Sequence, residues 1–289
     1  MALITIGLPV YNGERFLDEA LQTLTSQSFS DLEILVSDNA STDATPQILE
    51  KWQKIDPRIR IHRQAENIGG WPNFKWVLNN NSSQFFMYAA YDDKWSPNYV
   101  ERLYSALRHY GDAKLAVGRL ATFFENGKED VQRYVQAPPK GKKRDAIRTM
   151  HSGGYYGLFD RFFLIESLEK TKAFKHDWGA DFIVPLPALL AGQVVADNEA
   201  VYYKRITPLS EARYRPKTAG EQYVVYRDFW AEMLRCLKDA PLSRVQKIRL
   251  LPTLARYARN AGKPRRILKA WVREVIKRGG AALTKKRET

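Results

Sequence analysis

Cysteine is nearly missing from this chain: Cys236 is the single one in 289 residues. That excludes an internal disulfide framework and fits a reducing compartment. Histidine is scarce as well, at four, so a zinc site built from Cys and His is not expected. No apolar run is long enough to span a bilayer; the longest, residues 182–192, is short and broken by Pro185 and Pro187. The opening MALITIGLPVYNG lacks a basic n-region and reads as a strand rather than a signal peptide. Neither G-x-G-x-x-G nor a P-loop follows that strand, which removes the usual dinucleotide and triphosphate cradles. Acidic residues all but vanish at the end of the chain. Residues 241–289 hold 15 Lys and Arg against two Asp and Glu, so almost all of the net charge of +14 lies there and the first 240 residues are close to neutral.

What is present begins with a hydrophobic fraction of 44%, ordinary for a globular chain and enough for a sizeable core. Over residues 1–111, strand-like and helix-like patterns alternate. Leu3 to Val10, Leu32 to Ser37, Arg58 to Arg63 and Phe85 to Tyr91 read as strands. Glu14 to Leu24, a segment through Ile48 and Trp52, Trp71 to Leu78 and Tyr99 to Leu107 read as helices. Repeated βα units predict an α/β fold with a mostly parallel sheet flanked by helices. Beyond that point, residues 113–124 and 194–203 read as strands, 157–168 and 181–191 as helices, and 126–150 as a mobile excursion. From Glu221 onward the pattern is helical and increasingly basic.

The stretch FFMYAAYDDKWSP, residues 85–97, carries the strongest chemical signal. Two adjacent carboxylates, Asp92 and Asp93, stand where a buried strand ends, which is where open α/β sheets bind ligands. Like charges side by side call for a cation, either a metal ion or a Lys or Arg. Asn12 and Asp38 stand at two other strand ends and would converge on the same crevice. A carboxylate at Asp38 suits the N–H of a nucleobase edge; the alternative for both Asp38 and Asp43 is a turn or helix-cap role.

These residues together resemble the family 2 glycosyltransferases of the GT-A fold. The opening is IGLPVYNGERFLDEAL, and the acidic loop after the second strand is Asp38-Asn39-Ala40-Ser41-Thr42-Asp43. Arg63, Asn67, Gly69 and Asn73 match the next segment, and Tyr91-Asp92-Asp93 with Trp95 and Pro97 the metal motif. A weaker likeness continues through residues 156–159, Asp181 and 202–205. The resemblance implies an inverting, metal-dependent enzyme that uses nucleotide sugars. It implies that Pro9, Tyr11 and Glu14 line the nucleotide pocket with Asp38 on the base. Arg63, Asn67 and Asn73 would lie near the base or diphosphate, and Arg205 on the diphosphate, with Lys204 or Arg213 as substitutes. Asp92 and Asp93 would hold the ribose and a Mg²⁺ or Mn²⁺ ion, with Asp93 as the direct ligand. Asp181 would be the catalytic base, with Asp177 as competitor and a helix N-cap as the bland reading. Two departures stand out: Ala90 replaces the first acid of the commoner D-x-D-D form, and Thr207 replaces the His of Arg-x-His.

The implied organisation is a GT-A domain over residues 1–220, divided into a nucleotide-sugar half (1–111) and an acceptor half (112–220), followed by a basic helical extension (221–289). The donor would be a UDP-, dTDP- or GDP-sugar, and the acceptor a glycan or lipid-linked glycan of the cell surface. Within the extension, residues 265–278 pattern as a basic amphipathic helix with Trp271. It suits an anionic membrane surface and a cytoplasmic, peripheral location on the inner face; packing on the enzyme body is the alternative, and nucleic acid is disfavoured for want of a recognition motif. A catalytically silent adaptor of the same fold is the competing reading for the whole chain.

Overall fold

A computed structural model describes residues 2–138, 143–171, 174, 176, 179–207 and 216–262. The first half follows the expected alternation: β1 (Ile4–Val10), α1 (Leu17–Thr25), β2 (Leu32–Asp38), α2 (Thr45–Ile55), β3 (Ile59–Arg63), α3 (Gly70–Asn79) and β4 (Phe85–Tyr88). β5 (Lys94–Trp95), α4 (Tyr99–His109), β6 (Leu115–Phe124) and β7 (Glu129–Arg133) follow. Then come α5 (Lys143–Thr149), a 3₁₀ turn (Ser152–Tyr156), β8 (Leu158–Asp160), α6 (Arg161–Lys170), α7 (Ala180–Ile183), α8 (Leu186–Ala191) and β9 (Val194–Ile206). Two long helices close the described chain, α9 (Ala219–Asp239) and α10 (Arg244–Gly262).

The strands form one sheet in the order β3-β2-β1-β4-β8-β6-β9-β5, with β7 beside β6. β3, β2, β1 and β4 run parallel. β8 enters antiparallel to both β4 and β6, and β9 returns parallel to β6. Strand alternation sorts the core into two layers. Ile4, Ile6, Leu8 and Val10 of β1, with Phe85 and Met87 of β4, face α1 and α4. Phe86 and Tyr88 face the opposite layer, which holds α3, α5, α8, α9 and α10. The β1/β4 boundary is the point where helices change face, the place where such sheets open a crevice at their carboxyl ends.

Several boundaries differ from expectation. The buried strand stops at Tyr88, and Ala89 to Asp93 leave the sheet to form the crevice wall. Residues 157–168 split into a strand and a helix, because Asp160 caps α6 by accepting the Phe163 N–H at 3.0 Å. Residues 181–191 are two short helices separated at Pro185. The excursion at 126–150 contains β7 and α5. Phe229, Met233, Leu237, Leu254, Tyr257 and Ala258 of the final helices share one core cluster with Phe86, Leu186 and Leu189. The amphipathic segment 265–278 lies outside the described residues, as do Asp177 and Arg213.

Candidate active site

Two loops meet at the carboxyl ends of β1 and β2. Asn12 accepts the Thr42 N–H at 2.9 Å, and its own N–H donates to Ser41 Oγ at 2.9 Å. The Gly13 N–H donates to Thr45 Oγ1 at 2.8 Å. A Cβ at Gly13 would stand 2.6 Å from Val10 and 2.9 Å from Tyr91, so only glycine lets these chains approach. Asn12 and Ala40 both hold positive φ, at 50° and 59°. Such strain in non-glycine residues concentrates at functional loops. Glu14 belongs to this joint: its Oε2 accepts the Ala44 N–H at 2.9 Å while its own N–H goes to Asp43.

Pro9 is buried in β1 and Tyr11 is half-buried just past it. Asp38 ends β2 at 1% exposure. Its Oδ1 accepts the Ser41 N–H at 2.9 Å. Its Oδ2 makes no hydrogen bond among the described residues, the Arg63 Nη1 standing 3.4 Å away. A buried carboxylate oxygen with unused acceptor capacity is costly unless a ligand satisfies it. Arg63 also donates to the Ser41 carbonyl at 2.8 Å, clamping the loop from outside. Asn67 is exposed at the approach to α3 and links Asn39 to Gly69 through its Oδ1. Asn73 is placed differently from the rest. Buried beneath the loop, it accepts from Ser37 Oγ at 2.6 Å and donates to the Ser37 carbonyl at 3.0 Å, so both ends of its amide serve β2.

The adjacent carboxylates have separate environments. Asp92 is half-buried, whereas Asp93 is at 3% exposure. Asp93 Oδ1 accepts the Arg205 N–H at 2.8 Å, and Oδ2 accepts the Tyr202 hydroxyl in a short hydrogen bond. Burial, then the charge of Asp92, pushes the Asp93 carboxyl up to about 7. Burial and the Asp93 charge hold the Tyr202 phenol well above its usual value, so it stays a donor. Asp93 is turned into β9, and Asp92 is the more accessible of the two. Among the described residues no cluster of three or more His, Cys, Asp or Glu is arranged for a metal. The pair nonetheless fits a hard cation of the kind that takes one or two carboxylates and completes its shell with substrate phosphates and water. A cation there would relieve the repulsion that raises Asp93.

The Arg205 side chain is turned toward α1. It is 6% exposed, donates from Nε to the Asp92 carbonyl at 2.8 Å, and pairs through Nη2 with Glu19 of α1. Its guanidinium lies between the rings of Phe16 and Phe123, 4.4 and 4.6 Å from their centroids. Lys94 reaches Glu19 from the other side at 2.9 Å. A guanidinium held in this way fastens the Asp92-Asp93 turn to α1. The cation that does act on the site is Lys204, half-buried beside it, whose charge draws down both Asp93 and Asp181.

Asp181 lies in the first turn of α7, behind an N-cap taken by Gly179 at φ 96°; the cap role is thus not its own. Burial raises its carboxyl above the ordinary range, offset in part by Lys204 and by backbone N–H groups of the turn. One residue on, the Phe182 carbonyl accepts the hydroxyl of Tyr257, a buried side chain of α10, at 2.6 Å. Sequence reasoning missed Glu19, Ser37 and Tyr257 as supports of the site. Each acts through a distant partner and has no local motif to betray it.

Parallel strands that carry Asp38 and, just past β4, the Asp92-Asp93 pair at their carboxyl ends form the kind of α/β crevice in which ligands bind. The glycosyl transferase family 2 model matches residues 5–168, more than half of the chain, and the chain belongs to that family. It is similar to the glycosyltransferase GlyA of Streptococcus pneumoniae, 34% identical over 123 residues, covering 43% of this chain and 17% of that protein. The putative teichuronic acid biosynthesis glycosyltransferase TuaG of Bacillus subtilis is 22% identical over 264 residues, covering 91% of this chain and 97% of TuaG. The chain thus spans a small part of GlyA and nearly all of TuaG. Among solved structures, S. aureus TarS 1-349 in complex with UDP-GlcNAc superposes with a TM-score of 0.66 at 17% identity, over 88% of this chain and 72% of that one. The mannosyltransferase PcManGT from Pyrobaculum calidifontis, in complex with GDP-Man and Mn2+, gives 0.59 at 17% identity, over 98% and 80%. The shared fold is GT-A, as the sequence led one to expect.

Proposed function

We propose that this glycosyltransferase moves a sugar, with inversion, from a nucleoside diphosphate sugar to a hydroxyl of a glycan or lipid-linked acceptor in cell-surface polysaccharide synthesis. The observation that carries the reading is the unsatisfied Oδ2 of Asp38, buried at the end of β2 and ready to accept a nucleobase N–H. The nature of TuaG and the UDP-GlcNAc and GDP-Man bound by TarS and PcManGT support it. Pro9 and Tyr11 form the wall beside the base, and Arg63 keeps the Asp38 loop closed. Residues 1–111 provide the donor side and 112–220 the acceptor side, with the final helices buttressing the latter.

The acceptor oxygen attacks the anomeric carbon from the face opposite the diphosphate. Its proton passes to a carboxylate oxygen of Asp181, the anomeric C–O bond to the diphosphate breaks, and the leaving group takes the electron pair. The desolvated setting of Asp181 makes it a stronger base than an exposed aspartate. Asp92, backed by Asp93, would hold Mg²⁺ or Mn²⁺, which when bound neutralises the charge gathering on the diphosphate. The charge of Lys204 tempers both Asp93 and Asp181.

A thermal-shift screen of UDP-, dTDP- and GDP-sugars with Mn²⁺ tests the reading. One base is expected to stabilise the wild type strongly and Asp38→Ala much less. Equal shifts in both proteins would remove Asp38 from the role.

A further inference from the structure

The two faces of α10 are unlike. The inner face is buried: Leu254, Tyr257 and Ala258 sit in the core, and Tyr257 reaches the Phe182 carbonyl beside Asp181. The outer face exposes Val245 at 57%, Ile248 at 66% and Leu251 at 40%, with Pro252 exposed beside them. At helical spacing these four residues share one side of the cylinder. Arg244, Arg249, Arg256 and Arg259, all exposed, interleave with them on that side, and α10 carries no acidic residue. Large apolar side chains left in water at such spacing, among cations of one sign, are the pattern of a helix lying in a lipid headgroup layer.

We infer that the outer face of α10 docks this enzyme on an anionic lipid bilayer, the apolar side chains entering the interface and the arginines binding lipid phosphates. The choice of partner follows from charge. Residues 263–289, which continue the chain, hold ten Lys and Arg against two Asp and Glu, so they share the positive sign of this face and are repelled by it. A bilayer with acidic headgroups has the opposite sign and accepts apolar side chains at the same time. No helix among the described residues is long and apolar enough to cross a membrane, so the contact lies on the surface. The geometry then gives α10 two tasks: one side meets the bilayer, and the other holds the helix of the catalytic base. The inference rests on the lipid-linked acceptor reading and adds where the protein sits relative to it.

The test is co-sedimentation of the full chain with vesicles of phosphatidylcholine alone, or with about 30% phosphatidylglycerol, in low salt and in about 0.5 M salt. Wild type is expected to bind the anionic vesicles, to bind the neutral ones weakly and to detach with salt. The triple change Val245→Ser, Ile248→Ser, Leu251→Ser should lower partitioning by about tenfold or more, as should Arg244→Gln with Arg249→Gln and Arg256→Gln. Because these side chains are exposed, folding and donor hydrolysis should stay unchanged, and both are measured alongside. Unchanged partitioning of both variants overturns the inference, as does equal binding to neutral vesicles or no binding at all. Binding of duplex DNA in preference to the anionic vesicles also overturns it. Loss of vesicle binding with intact donor hydrolysis separates this inference from the transferase reading, which fails instead if no donor is bound or hydrolysed.

Discussion

Strands β1 to β4 run parallel and place Tyr11, Asp38 and Asp92 beyond their carboxyl ends, the first two on loops set by neighbours within their own βα unit or the next. The strands beyond them zigzag, and the residues they bring to the site are fastened by partners far along the chain. Asp93 and Tyr202 are 109 residues apart, Arg205 and Glu19 are 186 apart, and Phe182 and Tyr257 are 75 apart. On the proposed division, the donor side is local in its first two loops, while the acceptor side depends on the whole fold closing. Damage should follow the same division: a change on the donor side weakens nucleotide binding, and one on the other side lowers turnover or stability.

The sharpest break is Asp181→Asn. Removing the proton acceptor should lower transfer by about 10²–10⁴-fold with donor affinity kept, measured by product formation beside nucleotide binding. In the wild type the sign of the pH effect follows from its raised carboxyl. A protonated acid accepts nothing, so the rate should fall as pH drops through a value above the ordinary carboxylate range. An acid limb centred at about 4 would count against Asp181. Next in size, Asp92→Asn should lower kcat/KM by about 100-fold and raise the Mn²⁺ concentration needed for half activity. If Asp93→Asn shifted the metal requirement more than Asp92→Asn, the ranking drawn from their burial would be wrong.

Arg205→Met separates the two regions in another way. It removes the guanidinium from Glu19 and the Asp92 carbonyl, and should cost about 2–4 kcal/mol in unfolding free energy. Glu19→Gln, far from any phosphate, should reproduce about 1 kcal/mol of this loss. Full stability with lost donor affinity would restore Arg205 to the diphosphate. The smallest effect belongs to Tyr257→Phe, about 1 kcal/mol in thermal or urea unfolding, with a modest fall in turnover.

The legibility of the sequence followed this same line. Period-two strands and amphipathic helices announced β1 through α4 because each buries one face against its immediate neighbours. The Asp38 loop was legible for the same reason, and the Asp92-Asp93 pair as adjacent acids past a strand end, although the partners that hold the pair, Tyr202 and Arg205, stand far along the chain. Asn73 was assigned to the pocket because its spacing fits, yet its amide is used on Ser37, a pairing no spacing reveals. The resemblance places Arg205 on the diphosphate, and no motif shows that two aromatic rings and Glu19 also hold its guanidinium. The last helices read as an appendage because their charge is so uneven. Their apolar side chains nonetheless complete the core against α8, and charge patterning describes only the face that meets solvent.

One calorimetric titration tests the division most directly. The nucleoside diphosphate of the preferred donor is titrated, with Mn²⁺, into wild type, Asp38→Ala and Asp181→Asn under the same conditions. The account predicts that Asp38→Ala weakens binding by about tenfold or more, while Asp181→Asn binds like wild type. Unchanged binding in Asp38→Ala, or a loss confined to Asp181→Asn, would contradict it.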